Sequence, residues 1–261
     1  MDSDRSIAPI VSALSSKITD SLNARRRGIA LLSFCLVMFL SALPSASAAA
    51  AVKGEKAQSA RSEVSQAVAA TYAASSFVCS GTAVDTGTTI KFKVAISKAA
   101  AGGTLSFNGQ QADIRRLILT IYVKATQGFY SQEGLSHDQS ELLANHWLAS
   151  QVGDPGYAAV SVFVVAKSLI QGLVPGLGTA KLTRSSPTTF DGTAVDAIVG
   201  VVGGVKATIY IAAHGKPYLV GIFEPSKKSG GTIRFSDYNK KVRLKVPSNV
   251  ISAPPTKGAA T

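Results

Sequence analysis

From Thr89 to Ser97 apolar and polar side chains alternate, with Ile90, Phe92, Val94 and Ile96 on one face and Lys91 and Lys93 on the other. A period of two with one apolar face marks a β-strand that is wet on one side. The same period returns in Leu105 and Phe107, in Ile209 and Ile211, in Ile233 and Phe235, and in Val242, Leu244 and Val246. Turn signals separate these runs: DTG at 85–87, AGG at 101–103, NGQ at 108–110, FDG at 190–192, HGKP at 214–217 and SGG at 229–231. The pattern predicts an antiparallel meander of roughly nine or ten short strands, more than one flat sheet holds without curling.

Helical spacing is confined to three stretches. Glu63 to Ala74 is Ala-rich and places Val64, Val68 and Tyr72 on one face. Asp138 to Leu148 opens with an acidic turn and sets Leu142, Leu143, His146 and Trp147 on a stripe. Ala158 to Val174, AAVSVFVVAKSLIQGLV, carries one charge, Lys167, and is apolar nearly all round, so it must be covered on several sides. The fold class that follows is α+β: a curled antiparallel sheet closed by α-helices around an apolar cavity, a space fit for a greasy ligand.

The N-terminal part follows a different pattern. Arg25, Arg26 and Arg27 precede the uncharged run Gly28 to Leu43, and Ala46-Ser47-Ala48 follows it. A basic start, an apolar middle and a small-residue site make a secretion signal, and Pro44 ends the apolar helix just before that site. Cleavage after Ala48 is the first reading. An uncleaved anchor stays open, because the Ala-rich continuation stretches the run toward the ~20 residues that cross a bilayer. In both cases the arginines stay cytoplasmic and the rest is exported to the cell envelope or secreted. Cys35 is no lipobox cysteine: Phe34 stands where a small residue is needed, and much of the apolar run lies after it. The paired arginines also resemble a twin-arginine export signal.

The expected organisation is therefore an n-region and signal over 1–48, a tether and N-terminal helix over 49–75, one domain over 76–251 and a loose tail over 252–261. Of 261 residues, 46% are hydrophobic and 16% charged, enough for a core and too few charges for disorder. Past residue 48, Cys79 is the one cysteine, so the domain rests on its core and not on an internal disulfide. The formal charge is +12. A basic exported chain meets anionic membrane surfaces and wall polymers before it meets nucleic acid. Lys227, Lys228, Arg234, Lys240, Lys241, Arg243 and Lys245 concentrate that charge near the C-terminus, and Lys227, Lys228, Lys240, Lys241 and Arg243 are the candidate membrane-docking cations.

Catalytic patterns are sparse. The chain has no Walker loop, dinucleotide fingerprint, HExxH or nucleophile elbow. Its histidines, His137, His146 and His214, lack metal-ligand spacing, and consecutive Ser136, His137 and Asp138 read as a helix start, not a triad. Asp237, Tyr238 and Asn239 read as a bulge or turn, and Trp147 as a core anchor. No catalytic residue, metal ligand or cofactor is assigned.

The segments IYVKATQGFYSQEGLS, NHWL, IYIAAHGKPYLVGIF and IRFSDYNKKVRLKVP occur in that order between about Phe77 and Val250. They resemble the LolA-like actinobacterial lipoproteins of the LppX and LprG group, where a TVYVK strand leads into a FW or FY pair and the domain closes with GKPYPL and FSDYN motifs. The resemblance implies an antiparallel half-barrel that binds acyl chains of a lipid or glycolipid and carries or presents them at the envelope, with an envelope transporter as a protein partner. Two departures stand out: the usual lipobox cysteine is absent, and Lys240-Lys241 replace a small residue or proline. On this reading Phe92, Val94, Phe107, Phe163, Val165, Leu169 and Ile209 line the cavity. The alternative from another class is a structural or sensory envelope module whose core is filled by protein alone.

The signal reading has a direct check. N-terminal sequencing of the exported protein is expected to begin at or near Ala49. A form that retains Arg25, or carries diacylglycerol on Cys35, overturns it.

Overall fold

The structure is a computed structural model and describes residues 48–85, 87–173, 180–202, 205–225 and 230–252. Helix α1 (Ala48–Ala73) leads into a meander of β1 (Ser76–Asp85), β2 (Thr88–Ser97), β3 (Ala100–Phe107), β4 (Gln110–Leu117) and β5 (Thr120–Ala125). Helices α2 (Gln127–Gln132) and α3 (His137–Leu143), strand β6 (Trp147–Gln151), and helices α4 (Pro155–Val164) and α5 (Ala166–Leu173) come next. The chain then forms β7 (Lys181–Arg184), β8 (Thr188–Phe190), β9 (Thr193–Val202), β10 (Val205–Ala212), β11 (Leu219–Glu224), β12 (Gly231–Ser236) and β13 (Val250–Ser252).

All thirteen described strands belong to one sheet, ordered β13-β6-β5-β4-β3-β2-β1-β12-β11-β10-β9-β7, with β8 beside β9. The chain closes the middle by pairing β1 with β12. Every pairing is antiparallel except β13 with β6. Because cross-strand partners share a face, the register builds one apolar surface. Val94 pairs with Cys79 and Gly103, Cys79 with Phe235, Ile233 with Ile222, Ile222 with Ile209, and Ile209 with Ile198. The sheet curls around that surface without closing on itself.

Helices cover what the curl leaves open. Over the β7 to β11 half lies α1, whose Ala60, Val64, Ala67 and Thr71 are buried. Arg61 donates to the Ala180 carbonyl at 3.0 Å, and Arg184 bridges Glu63 and Asp196, each at 3.3 Å. The helix reaches back to Ala48 through the stretch expected as a tether, as a run rich in Ala favours. Thr71, fully buried, accepts from the Leu219 amide at 3.1 Å and meets the Tyr238 hydroxyl at 3.4 Å. Tyr238 donates to the Leu219 carbonyl at 2.6 Å and stacks on Tyr218 at 4.0 Å.

Several predicted elements differ in the structure. The expected helix over 138–148 stops at Leu143, and Trp147 begins β6. Ser136 caps it with a capping box to Gln139, and Asn145, at φ 63°, turns the chain back. The apolar stretch over 158–174 is two helices, broken at Val165, whose φ of −109° and ψ of 114° are extended. AGG at 101–103 lies inside β3 and is no turn. Gly102 is roofed by Leu244, whose methyl carbons would stand 2.9 Å from a Cβ there, and a Cβ on Gly103 would strike the β2 backbone at Lys93 and Val94. Glycine is used here for close approach.

Val242 and Leu244 keep their alternation but form no strand. Residues 240–247, without regular secondary structure, form a strap over the convex face, where the Lys245 carbonyl accepts from Arg115 at 3.0 Å. Trp147 is buried on that convex side, with the Arg115 guanidinium 4.6 Å and the Lys124 ammonium 5.4 Å from its ring. It anchors the outer layer, not the main core. Asp237 to Asn239 form a turn after β12 with positive φ at Asp237 and Asn239.

Arg116 holds the break between α4 and α5. On β4 it shares the apolar face with Ala112 and Ile114, is 7% exposed, and burial pulls its pKa down. Its guanidinium donates to the Val164 carbonyl at 2.9 Å, Ile118 at 3.1 Å, Ser97 at 2.8 Å and Lys98 at 3.3 Å. One cation thus satisfies the open carbonyl end of α4 and two neighbouring strand turns. Arg116→Met leaves the buried Val164 carbonyl without its donor, and a loss of about 1.5–3 kcal/mol is expected from urea unfolding, the usual worth of bonds to a charged group. Amide exchange should quicken first in α4 and α5. An unchanged unfolding midpoint would remove Arg116 from this role.

Candidate functional site

The concave face of the sheet is the candidate site. Its floor is Ile90, Phe92, Val94 and Ile96 of β2, flanked by Leu105 and Phe107 of β3 and Ile114 of β4, all buried. β-Branched and aromatic side chains pack well on a pleated surface, so the alternation that makes the strands also makes the floor. Its roof is α4 and α5, which contribute Val160, Phe163, Val164, Leu169 and Ile170.

The seven side chains expected to line a cavity are all brought into this core. Phe92, Val94, Phe107, Phe163, Leu169 and Ile209 are buried, and Val165 packs against them half-exposed at the helix break. Phe163 is central. Its ring centroid lies 6.0 Å from Phe92 and 6.4 Å from Phe107, the latter edge-on, and Phe107 lies 6.0 Å from Phe129. These spacings suit tilted and edge-to-face contacts between rings. The site therefore has a floor and a roof in contact through four phenylalanines, without a charged group among them.

Phe129 and Tyr130 were not among the expected lining residues. They sit on α2, which Thr126 caps by accepting from the Phe129 amide, and with Leu135 and Leu143 they plug the end where β3 turns into β4. The FY pair in a short amphipathic turn was the sequence signal. Burial pushes the Tyr130 phenol up, so it stays neutral and acts as an apolar plug. Cys79, also buried, lies on the floor, and burial pushes its thiol up, which makes it inert as a nucleophile.

The expected docking cations lie elsewhere. Lys240, Lys241 and Arg243 are exposed on the convex strap and its leading turn, and Lys240 pairs with Asp237. Lys227 and Lys228 fall outside the described residues. Arg234 is exposed on β12, pairs with Asp191, and covers the Phe190 ring at 5.8 Å. On the convex side, a groove of about 360 Å³ is lined by Ser185, Ser186, Thr188, Thr208 and Tyr210, with Ala197 and Val199 beneath. Among the described residues no cluster of His, Cys, Asp and Glu could hold a metal, and no helix is long and apolar enough to cross a membrane.

No family model matches this chain, and no curated protein matches it. Among solved structures it is similar to the lipoprotein LppX of Mycobacterium tuberculosis, 19% identical over 72% of this chain and 99% of that one, with a TM-score of 0.47. It is similar to LprF of Mycobacterium bovis, 12% identical over 73% and 97%, with a TM-score of 0.46. A lipoprotein-sorting protein domain from Vibrio parahaemolyticus is 8% identical over 72% and 95%, with a TM-score of 0.28. The LppX group, which the sequence motifs resemble, is thus met again among the solved structures.

Proposed function

We propose that this chain is an exported, non-enzymatic lipid-binding protein that holds the acyl chains of a lipid or glycolipid against its concave face and carries or presents them at the cell envelope. One observation supports this most. A single curled sheet offers a largely apolar face, and its cover over the aromatic floor is two short helices joined by an extended residue. Helices of ten and eight residues have little stability of their own and stay in place by packing. Acyl chains slipped beneath them would replace one apolar contact with another. Each methylene taken from water contributes roughly 0.8 kcal/mol, so one long chain offsets the cost of displacing the roof.

Selectivity would come from chain length and number, because Arg116, the charged side chain on the floor face beside the roof, is committed to four backbone carbonyls. An anionic membrane surface is the natural source and destination of the cargo. The exposed Lys240, Lys241 and Arg243 would favour that surface, each by about 1 kcal/mol when close to it.

The expected result is that protein purified without detergent yields lipid on organic extraction, read by mass spectrometry. Val165→Trp, at the half-exposed helix break, should wedge the roof and empty the protein of lipid with little change in unfolding midpoint. Val94→Trp, on the fully buried floor, tests the alternative. In a core filled by protein alone it overpacks and costs typically 1–3 kcal/mol whether or not lipid is offered. In a lipid carrier that cost should shrink when lipid is supplied. A protein that carries no lipid and binds none when offered is a filled structural or sensory module.

A further inference from the structure

Two successive hairpin turns, at opposite ends of the sheet, have opposite chemistry. At one end the β3–β4 turn is Asn108-Gly109, with φ of 48° and 86°, and α2 and α3 plug the opening behind it. Asn-Gly is what a two-residue hairpin in water selects, because both residues tolerate positive φ. The β8–β9 turn, Asp191-Gly192, follows the same rule from the opposite end of the sheet.

At the other end the β4–β5 turn is Ile118-Leu119. Leu117 pairs directly with Thr120, so the loop has two residues, and Ile118 takes a φ of 56°. A β-branched residue in the left-handed region is strained, and the first position of such a turn is one that glycine normally fills. Ile118 is nevertheless 71% exposed and Leu119 63% exposed, so neither is there to fill the core. Thr120 pairs with Gln151 on β6, which sets Val152, 59% exposed, opposite Leu119 on a strand about 4.8 Å away. Three aliphatic side chains thus project together into water at one rim.

Three lysines, Lys98, Lys240 and Lys241, outnumber the two carboxylates, Asp154 and Asp237, among the described residues along that rim. The Ile118 amide donates to the Ala99 carbonyl at 2.9 Å, which ties this turn to the β2–β3 turn carrying exposed Lys98. Next along the rim, Ser97 pairs with Ser76, whose hydroxyl donates to the Lys240 carbonyl, so Lys240 and Lys241 follow. Asp154 accepts from the Gln151 amide at 2.7 Å, and Asp237 pairs with Lys240, which leaves Lys98 and Lys241 as the cations without an acidic partner among the described residues at this rim. Water-facing strain, clustered aliphatics and flanking cations have one occupant in common, the interface of an anionic bilayer.

We propose that this rim is the membrane-entering end of the protein: Ile118, Leu119 and Val152 dip into the acyl boundary while Lys98, Lys240 and Lys241 meet anionic head groups. The inference rests on the membrane-docking part of the function proposed above and not on lipid carriage. It also places the Arg116-held break between α4 and α5 at the bilayer surface, since Arg116 bonds both Val164 and Ile118.

The test uses the exported protein as recovered from cells and vesicles of equal parts phosphatidylglycerol and phosphatidylcholine. The variants are Ile118→Gly and the double change Ile118→Asn with Leu119→Gly, which installs the chain's own water-facing turn. Both should raise the thermal midpoint by relieving the left-handed isoleucine, yet bind vesicles roughly tenfold or more weakly. Tryptophan placed by Leu119→Trp should shift to the blue on vesicle addition and be quenched by brominated lipid. Pure phosphatidylcholine or high salt should weaken binding of the native chain. Equal vesicle binding by native and variants overturns the proposal, as does a native chain that ignores every vesicle. A native dimer that Ile118→Gly dissolves overturns it in favour of a second copy as the occupant. Loss of extractable lipid with vesicle binding intact would instead remove the carrier reading and leave the rim standing.

Discussion

One sheet must hide a whole apolar face without a second sheet to pack against. A sandwich solves that problem by stacking two inner faces, whereas here the strands curl and helices fill the concavity. Most of the remaining structure answers this constraint. α1 covers the half from β7 to β11, α4 and α5 cover the half from β2 to β6, and α2 with α3 seals one end. Each cover is apolar on its inner side and needs a polar fastener at its edge, since burying the helix would otherwise strand backbone groups. Arg116 supplies that for α4, and Thr71 of α1 with Tyr238 satisfies the Leu219 backbone beneath α1.

The fasteners explain why a charged group belongs on an otherwise greasy strand. Ala112, Ile114 and Arg116 are in phase on β4, and small Ala101 opposite leaves room for the guanidinium. A methionine there would suit the apolar face better and the helix end worse. The guanidinium can serve four carbonyls at once because its donors fan out in a plane.

Around the aromatic floor the concave face is apolar, with Cys79 inert, Tyr130 neutral and the Arg116 guanidinium committed to backbone carbonyls. That composition suits a ligand recognised by its hydrocarbon. The outer layer differs: Trp147 between Arg115 and Lys124, the basic strap, and the hydroxyl-lined groove face water or other surfaces. The molecule thus separates a greasy inside from a cationic outside across one layer of strands.

Local pattern was enough to reveal the sheet and its inward face. The alternation in 89–97, in 209–211 and in 233–235 reports which side chains share a face whatever the strands pair with, so Phe92, Val94, Phe107 and Ile209 could be placed together from residues alone. The FSDYN and GKPY motifs resembled those of the LppX group, and the fold stacks the tyrosine of one on the tyrosine of the other. Tertiary context decided the rest. Trp147 joins β6 because β5 offers an unpaired edge, although its neighbours have helical spacing. The apolar stretch after Tyr157 breaks at Val165 because Arg116, 48 residues away, captures the carbonyl of Val164. Gly102 and Gly103 read as a turn until Leu244 and the β2 backbone are seen pressing on them. In each case the deciding partner is distant along the chain, and a window of neighbouring residues carries no trace of a contact made only on folding.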